Sequence, residues 1–276
     1  MKRYFYLIIF ILFLSLNDSA GQTNKDIREI LQDLYDRIAG TKDDNEKLRL
    51  NDSLRLIIES YAESDSVFTH NFENLRFLGQ ITAPDRKLKI ITWNVFMQNS
   101  PNRYYCHIIK RGEKKKANTI RVLTGMNRED PVRQDIVYTP ENWYGALYYA
   151  IQPFRIDKKV HYIILGFDYG NLNVSRKIID VLNFSAEGNV SFGLDCFVRD
   201  KETKLREVLE YSPEGIVSLR MENSKTIVFD QPAMIKTGHG DGQDISAAGI
   251  SLNGYVLRRG IWKFVPDLDL KNKKKD

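Results

Sequence analysis

The sequence predicts a mainly β protein, an antiparallel meander closed as a barrel or folded as a sandwich, with an N-terminal helical hairpin packed on it. Aromatic residues make up 11% of the 276 residues, which is typical of β-structure. Short runs rich in β-branched and aromatic residues recur from Leu88 onward, with turn residues between them and no long helical stretch. Before Leu88, apolar residues repeat at helical spacing instead.

The N-terminal residues have the order of a secretory signal peptide: a basic start at Met1-Lys2-Arg3, an apolar stretch from Tyr4 to Leu16, and small residues up to Gly21. The apolar core of about 13 residues is shorter than the roughly 20 that span a bilayer. We expect cleavage after Gly21 and an exported chain in the periplasm or at the outer envelope. A retained anchor is the alternative. The sequence predicts no transmembrane segment in the mature chain.

Residues 22–64 are predicted to form a helical hairpin, followed by a connector over 65–87. Each helix carries one apolar face; the residues are Ile27, Ile30, Leu31, Leu34 and Ile38 in the first, and Leu50, Leu54, Ile57, Ile58 and Tyr61 in the second. These faces must be buried, and we expect the β domain of the same chain to cover them. Docking of the hairpin on another protein is the alternative.

The antiparallel β domain is predicted over 88–268, before a basic disordered tail at 269–276. Its strands are expected near 88–97, 103–111, 118–124, 144–153, 160–167, 174–184, 190–199, 204–211, 216–221, 226–230 and 254–265. Residues 174–184 and 204–211 also fit a helical period. Successive strands without long helices between them favour a meander.

The formal charge of +5 is a mild basic excess. The basic clusters Arg111–Lys116 and Lys271–Lys275 are typical of a solvated hairpin tip and a chain terminus, so no nucleic-acid partner is predicted.

Cys106 and Cys196 both fall in predicted strands, where two buried thiols are favoured and a disulfide remains open. The four histidines lack zinc-ligand spacing, and neither a metal nor a cofactor is predicted.

Two polar loops hold the candidate binding residues. Gly166–Asn173 supplies Asp168, Asn171 and Asn173, which can coordinate an ion or bind a sugar, or satisfy their own backbone in Asx turns. Thr237–Asp244 supplies its own set, His239, Asp241 and Asp244. Such a Gly- and Asp-rich loop suits an oxygen-liking cation but lacks the ligand order of a calcium loop, so a flexible loop is the simpler interpretation.

The densest aromatic segment is Glu141–Ala150. In a regular strand its two faces would carry Trp143, Gly145, Leu147 and Tyr149 on one side, and Tyr144, Ala146, Tyr148 and Ala150 on the other. Apolar character on both faces predicts burial on both. An exposed platform for stacking rings is the alternative.

Several segments together resemble a family of exported, functionally uncharacterised proteins of Bacteroidota. The resemblance covers most of the chain after about residue 68 and rests on the segments 85–94, 141–154, 162–168, 175–184 and 260–267. Its motifs are aromatic residues, glycines and turns, and the family supplies no catalytic residues. The resemblance implies a bacterial periplasmic or outer-envelope setting.

The sequence therefore predicts an exported cell-envelope protein acting as a non-catalytic binding or structural module, with 168–173 and 231–249 as its ligand rim. Its expected partners are envelope glycans or an envelope protein. The alternative is a secreted hydrolase of envelope polysaccharide or peptide polymers, using carboxylates such as Asp168, Asp241 or Asp244. A partner subunit that docks through the helical hairpin is a third possibility. No nucleophile motif or phosphate loop assigns a catalytic residue.

Overall fold

The computed structural model describes residues 20–113, 116–126, 131–170, 173–230 and 252–269, with side chains from Ile27 onward. Most of the predicted signal peptide lies outside the described residues, as do the whole of 231–249 and nearly all of the basic tail. Export and cleavage after Gly21 therefore stay predictions. Within the described residues, no helix is both long and apolar enough to cross a membrane.

Two helices open the fold where the apolar spacing predicts them. Helix α1 spans Ala20–Gly40 and helix α2 spans Asp44–Glu63, and a 3₁₀ turn follows at Asp65–Phe68. The Asp43 carboxylate starts α2 by accepting hydrogen bonds from the backbone N–H groups of Asn45 and Glu46.

Fifteen described strands follow in three sheets. The first sheet has the order β1-β2-β3-β4, with β1 (Gly79–Thr82), β2 (Leu88–Val95), β3 (Arg103–Lys110) and β4 (Thr119–Met126). The second has the order β11-β7-β6-β5, with β8 also on β7: β5 (Leu147–Ile156), β6 (Lys159–Asp168), β7 (Ser175–Phe184), β8 (Val190–Phe192) and β11 (Glu207–Tyr211). The third has the order β10-β9-β15-β14-β13-β12, with β9 (Phe197–Arg199), β10 (Glu202–Lys204), β12 (Leu219–Asn223), β13 (Thr226–Asp230), β14 (Leu252–Arg258) and β15 (Ile261–Val265).

The predicted fold class is confirmed: the chain is mainly β, with sheets that are antiparallel except for the pairing of β9 with β15, behind an N-terminal helical hairpin. The described strands form open sheets stacked like a sandwich, and they do not close as a barrel. The stretch predicted near 174–184 is strand, and that near 204–211 is strand except for a break after Lys204. The strand predicted over 190–199 is broken at Gly193, whose φ of +104° lies in the left-handed region that favours glycine. The chain therefore leaves the second sheet after β8 and enters the third at β9.

The helices and the three sheets stack as successive layers, because alternate residues of the central strands enter the cores on either side of each sheet. On β2, Ile91 and Trp93 pack against the helices, while Ile90 faces the second sheet. On β6, Ile164 faces the first sheet and Ile163 packs with the third. The order is helices, first sheet, second sheet, third sheet. The helical hairpin thus buries most of its apolar faces on its own chain, although Ile30, predicted to lie on the buried face of the first helix, is 44% exposed.

Both cysteines are buried and free, so the buried-thiol interpretation is confirmed and no disulfide joins them. Cys106 packs between the first and second sheets, whereas Cys196 belongs to the core shared with the third sheet. The two thiols therefore lie in different layers.

Lys89 fastens the segment after α2 to the first sheet. Its side chain is fully buried, and its ammonium donates to Val67 O and Asn71 Oδ1, both at 2.8 Å, and to His70 O and the Tyr61 hydroxyl. Burial lowers the pKa of Lys89 to about 8 from its ordinary 10.5. These four oxygen atoms replace the water molecules that would solvate the Lys89 ammonium in the unfolded chain.

Leu54→Ala is expected to lower the free energy of unfolding by about 2–5 kcal/mol, because Leu54 is fully buried between the helices and the first sheet. Leu56→Ala in the same helix is the matched control: Leu56 is 55% exposed, and we expect a change below about 0.5 kcal/mol. Urea unfolding followed by circular dichroism measures both. Equal losses would contradict the packing of α2 on the sheet.

The stability supplied by Lys89 is expected to rise with pH between about 8 and 10.5. The unfolded state binds more protons than the folded state in this window, so deprotonation favours folding, and the gain is lost as pH falls through the folded pKa. The measurement is the difference in unfolding free energy between the wild type and Lys89→Met from pH 7.5 to 10. A difference that falls with pH would show that the pKa of Lys89 is not lowered.

Candidate functional site

Asp168 is the last residue of β6 and is only 4% exposed, so it does not lie on an open ligand rim. Its Oδ1 accepts hydrogen bonds from the Tyr104 hydroxyl and from Gly170 N, each at 2.9 Å. Its Oδ2 lies 3.1 Å from Nη1 of Arg176, which forms a buried ion pair. Burial and the neighbouring Asp168 charge raise the pKa of Tyr104.

The other predicted binding residues do not join Asp168 in a described cluster. Asn173 is exposed and takes part in an interaction of its own. Asn171, His239, Asp241 and Asp244 lie outside the described residues. Among the residues that the structure describes, no group of three or more His, Cys, Asp or Glu side chains is placed to hold a metal ion.

Asp168 instead belongs to a row of charges across the end of the second sheet. Arg176 on β7 pairs in register with Asp168 on β6 and with Glu210 on β11. Its Nε donates to Glu210 Oε1 at 2.8 Å while its Nη1 bonds Asp168. The guanidinium is therefore held between two carboxylates, one buried and one partly exposed.

A second ion pair, Asp180 with Arg206, lies deeper and is fully buried. Arg206 Nε donates to Asp180 Oδ2 at 2.8 Å, and its remaining nitrogens donate to the carbonyls of Arg133, Ile136 and Phe192. Burial raises the pKa of Asp180, and Arg206 opposes that rise.

Three aromatic side chains extend this pair into the core. The Tyr144 hydroxyl donates to Asp180 Oδ2 at 3.0 Å and lies 2.9 Å from the Tyr148 hydroxyl. Trp143 Nε1 donates to Tyr148 at 2.9 Å. All three are at most 4% exposed, so the core interpretation of these aromatic residues is confirmed.

A cavity of about 340 Å³ opens beside the two ion pairs. Its lining combines apolar and polar side chains: Pro131, Val132, Arg133, Ile136, Tyr138, Asn142, Tyr144, Asp168 and Arg176. The wall formed by residues 131–138 is tied to the sheet through the bonds of Arg206 to the carbonyls of Arg133 and Ile136.

Around the end of β6, four aromatic rings and one lysine form a continuous row, which we call the aromatic–lysine surface: Tyr149, Lys177, Phe167, Tyr169 and Phe96. Phe167 and Lys177 lie on the face of the second sheet opposite Asp168, whereas Phe96 follows β2 of the first sheet. The Lys177 ammonium lies 4.9 Å from the centre of the Tyr149 ring and 4.8 Å from that of Phe167. Tyr169 then contacts Phe167 at 4.7 Å and Phe96 at 5.0 Å, edge to face. Phe96, Tyr169 and Tyr149 are 45%, 40% and 39% exposed.

Tyr149 reaches this surface because β5 contains a bulge. Tyr148 pairs with Gly166 and Ala150 with Leu165, which leaves Tyr149 as an extra residue. Ala150 consequently packs with the third-sheet core, not with Tyr148 as a regular alternation predicts. The expected burial of both faces is wrong at Tyr149, because the extra residue turns outward.

Sequence reasoning missed Phe96, Lys177, Arg176 and Arg206 as site residues. They lie on three separate segments, and only the folded sheets bring these segments to Asp168 and its neighbours. One signal was present in the sequence: Phe167 and Tyr169 alternate with Asp168, so strand geometry places both on the face opposite Asp168.

Part of the chain is similar to proteins from three strains of Clostridium perfringens, each described as "Putative pre-16S rRNA nuclease". The identity is 29% over 73 residues, which is 26% of this chain and 53% of each relative. The chain thus spans about half the length of the curated relatives it matches. No family model and no solved structure matches the chain.

This similarity overturns the function predicted from the sequence. The prediction of a cell-envelope binding or structural module, with a hydrolase of envelope polymers as its alternative, is wrong, because the matched relatives carry a nuclease description. The same similarity runs against the expectation that nucleic acid is not a partner. Glycan and envelope-protein partners have no support from it.

Asp168→Asn is expected to lower the free energy of unfolding by about 3 kcal/mol, because it leaves the buried Arg176 with one carboxylate partner. Glu210→Gln is the matched control on the same guanidinium. The Glu210 side chain is 42% exposed, so we expect a loss below about 1 kcal/mol. Denaturant unfolding of both variants measures the difference. An Asp168→Asn variant as stable as the wild type would contradict the structural role of this pair.

Proposed function

We propose that the protein binds single-stranded RNA through the aromatic–lysine surface. The observation that carries the proposal is the continuous row of rings beside Lys177, in which Tyr149, Tyr169 and Phe96 are exposed and Phe167 is half-buried. Bases of single-stranded nucleic acid stack on such rings, at about 1–3 kcal/mol per base, and basic side chains beside them attract the phosphates. Tyr149, Tyr169 and Phe96 each offer an exposed ring to a separate base.

The exposed rings of the aromatic–lysine surface are set at angles to one another. Ring centres within the surface lie 4.7 and 5.0 Å apart where the rings touch edge to face, so their free faces point in different directions. A chain of stacked bases would have to follow this turn, which a flexible single strand can do and a duplex cannot. The arrangement favours single-stranded over double-stranded RNA.

Two further observations support RNA as the polymer. The matched relatives are described as acting on an rRNA precursor, and this chain shares 29% identity with them over 73 residues. The formal charge of +5 also favours encounter with a polyanion. Tyr35 stacks on Phe77 at 3.9 Å, and the Tyr169 hydroxyl is close enough to help raise the pKa of Tyr35, so a further ring pair borders the surface.

Fluorescence anisotropy with a labelled single-stranded RNA of about 12 nucleotides tests the proposal. We expect Tyr169→Ala and Phe96→Ala each to weaken binding by about fivefold or more, since each removes one stacking ring. A gel of the same RNA after incubation reports any cleavage separately.

Leu56→Ala is the control, because it removes an exposed apolar side chain from α2 while leaving all five residues of the surface in place. It is expected to bind RNA like the wild type. No RNA binding by the wild type, or equal weakening by Leu56→Ala and Tyr169→Ala, would refute the proposed function.

A further inference from the structure

The cavity beside Asp168 presents hydrogen-bond donors that have no acceptor among the described residues. Arg176 bonds Glu210 through Nε and Asp168 through Nη1, while its Nη2 donates to no residue that the structure describes. The side chain is only 4% exposed. A guanidinium that lines a cavity and keeps one nitrogen without an acceptor among the described residues is suited to a phosphate, because it offers a fixed, permanently charged donor.

Asn142 adds a second donor on the same lining. Its Oδ1 accepts from the backbone N–H of Thr139 at 2.6 Å and from the Thr139 hydroxyl at 3.2 Å, which fixes the side chain in its turn. Within the described part of the chain, its amide Nδ2 has no acceptor. Because the bonds to Oδ1 fix the Asn142 side chain, its Nδ2 can donate to an oxygen atom of a ligand.

The remaining lining suits a flat ring. Pro131, Val132 and Ile136 supply apolar contacts, with Tyr138 beside them. The volume of about 340 Å³ lies at the lower end of the range for small-molecule sites. One nucleotide fits this size better than a longer oligomer does.

We propose that this cavity binds a single ribonucleoside monophosphate unit, with its phosphate on Arg176 and Asn142 and its base against the apolar wall at residues 131–138. The inference rests on the proposed function and names a second subsite for the same RNA. Asp168 borders the cavity, and its neighbours Phe167 and Tyr169 belong to the aromatic–lysine surface. The two subsites therefore meet at the same end of β6, where one RNA chain can pass from one to the other.

Isothermal titration calorimetry with the four ribonucleoside 5′-monophosphates tests the subsite, with the unphosphorylated nucleosides and inorganic phosphate as partial ligands. We expect at least one monophosphate to bind more tightly than its nucleoside and than phosphate alone. Asn142→Asp should weaken that binding about tenfold or more, because it replaces a donor by a negative charge while an oxygen still accepts from Thr139.

Asn223→Asp is the matched control. Asn223 Oδ1 also accepts a backbone hydrogen bond, from Lys225 N at 2.9 Å, and lies in the β12–β13 hairpin away from the cavity lining. This variant should bind the monophosphate like the wild type. Arg176→Lys, which keeps the charge beside Asp168 but removes Nη2, should also weaken binding; thermal unfolding checks that each variant is folded.

The two proposals fail in different ways. If RNA binds and depends on Tyr169 but no monophosphate binds, the cavity inference is overturned and the proposed function stands. If a monophosphate binds with the expected dependence on Asn142 but RNA does not bind, the cavity is a nucleotide site, and the proposed function fails together with the role of this cavity as an RNA subsite. Equal affinities of Asn142→Asp and Asn223→Asp for the monophosphate would also overturn the cavity inference.

Discussion

The fully buried ion pair between Asp180 and Arg206 holds together the parts of the fold that form the cavity. Burying either charge without a partner costs several kcal/mol, so each depends on the other. The guanidinium also bonds the carbonyls of Arg133, Ile136 and Phe192, and it thereby joins the 131–138 segment and the end of β8 to β7. Gly193 allows this approach, since a Cβ there would lie 2.7 Å from Arg206 Nη2. These bonds hold residues 131–138, which form no regular strand, in place along one side of the cavity.

Strand β7 serves both subsites by simple alternation. Arg176 and Asp180 share one face, on which Arg176 lines the cavity, while Lys177 points to the other face and joins the aromatic rings. Strand β6 repeats the arrangement, with Asp168 on the cavity side and Phe167 opposite. Because both strands are held between neighbours on each side, the charges and the rings take their positions from the same backbone hydrogen bonds. The geometry of one subsite is therefore coupled to that of the other.

The sequence predicted the local elements better than the site. Helical spacing predicted the hairpin of α1 and α2, and turn residues predicted most strands, because both signals act between neighbouring residues. The partition into three sheets was not predictable, since it depends on Gly193 and on pairings such as β9 with β15 between distant segments. The sequence predicts Asp168 as a loop residue, yet its partners Tyr104 and Arg176 come from two other strands. A carboxylate in a polar turn has the same local sequence whether it faces solvent or a buried arginine.

The bulge at Tyr149 has a consequence for how this surface can change. Tyr148 and Ile151 still enter the core between the first and second sheets, so the extra residue is accommodated without altering the buried set of β5. Deletion of Tyr149 would restore regular pairing between β5 and β6 and remove one exposed ring, while the buried side chains of β5 stayed in place. Strand length, more than amino-acid choice, is then the variable by which such a sheet gains or loses a contact point for a partner.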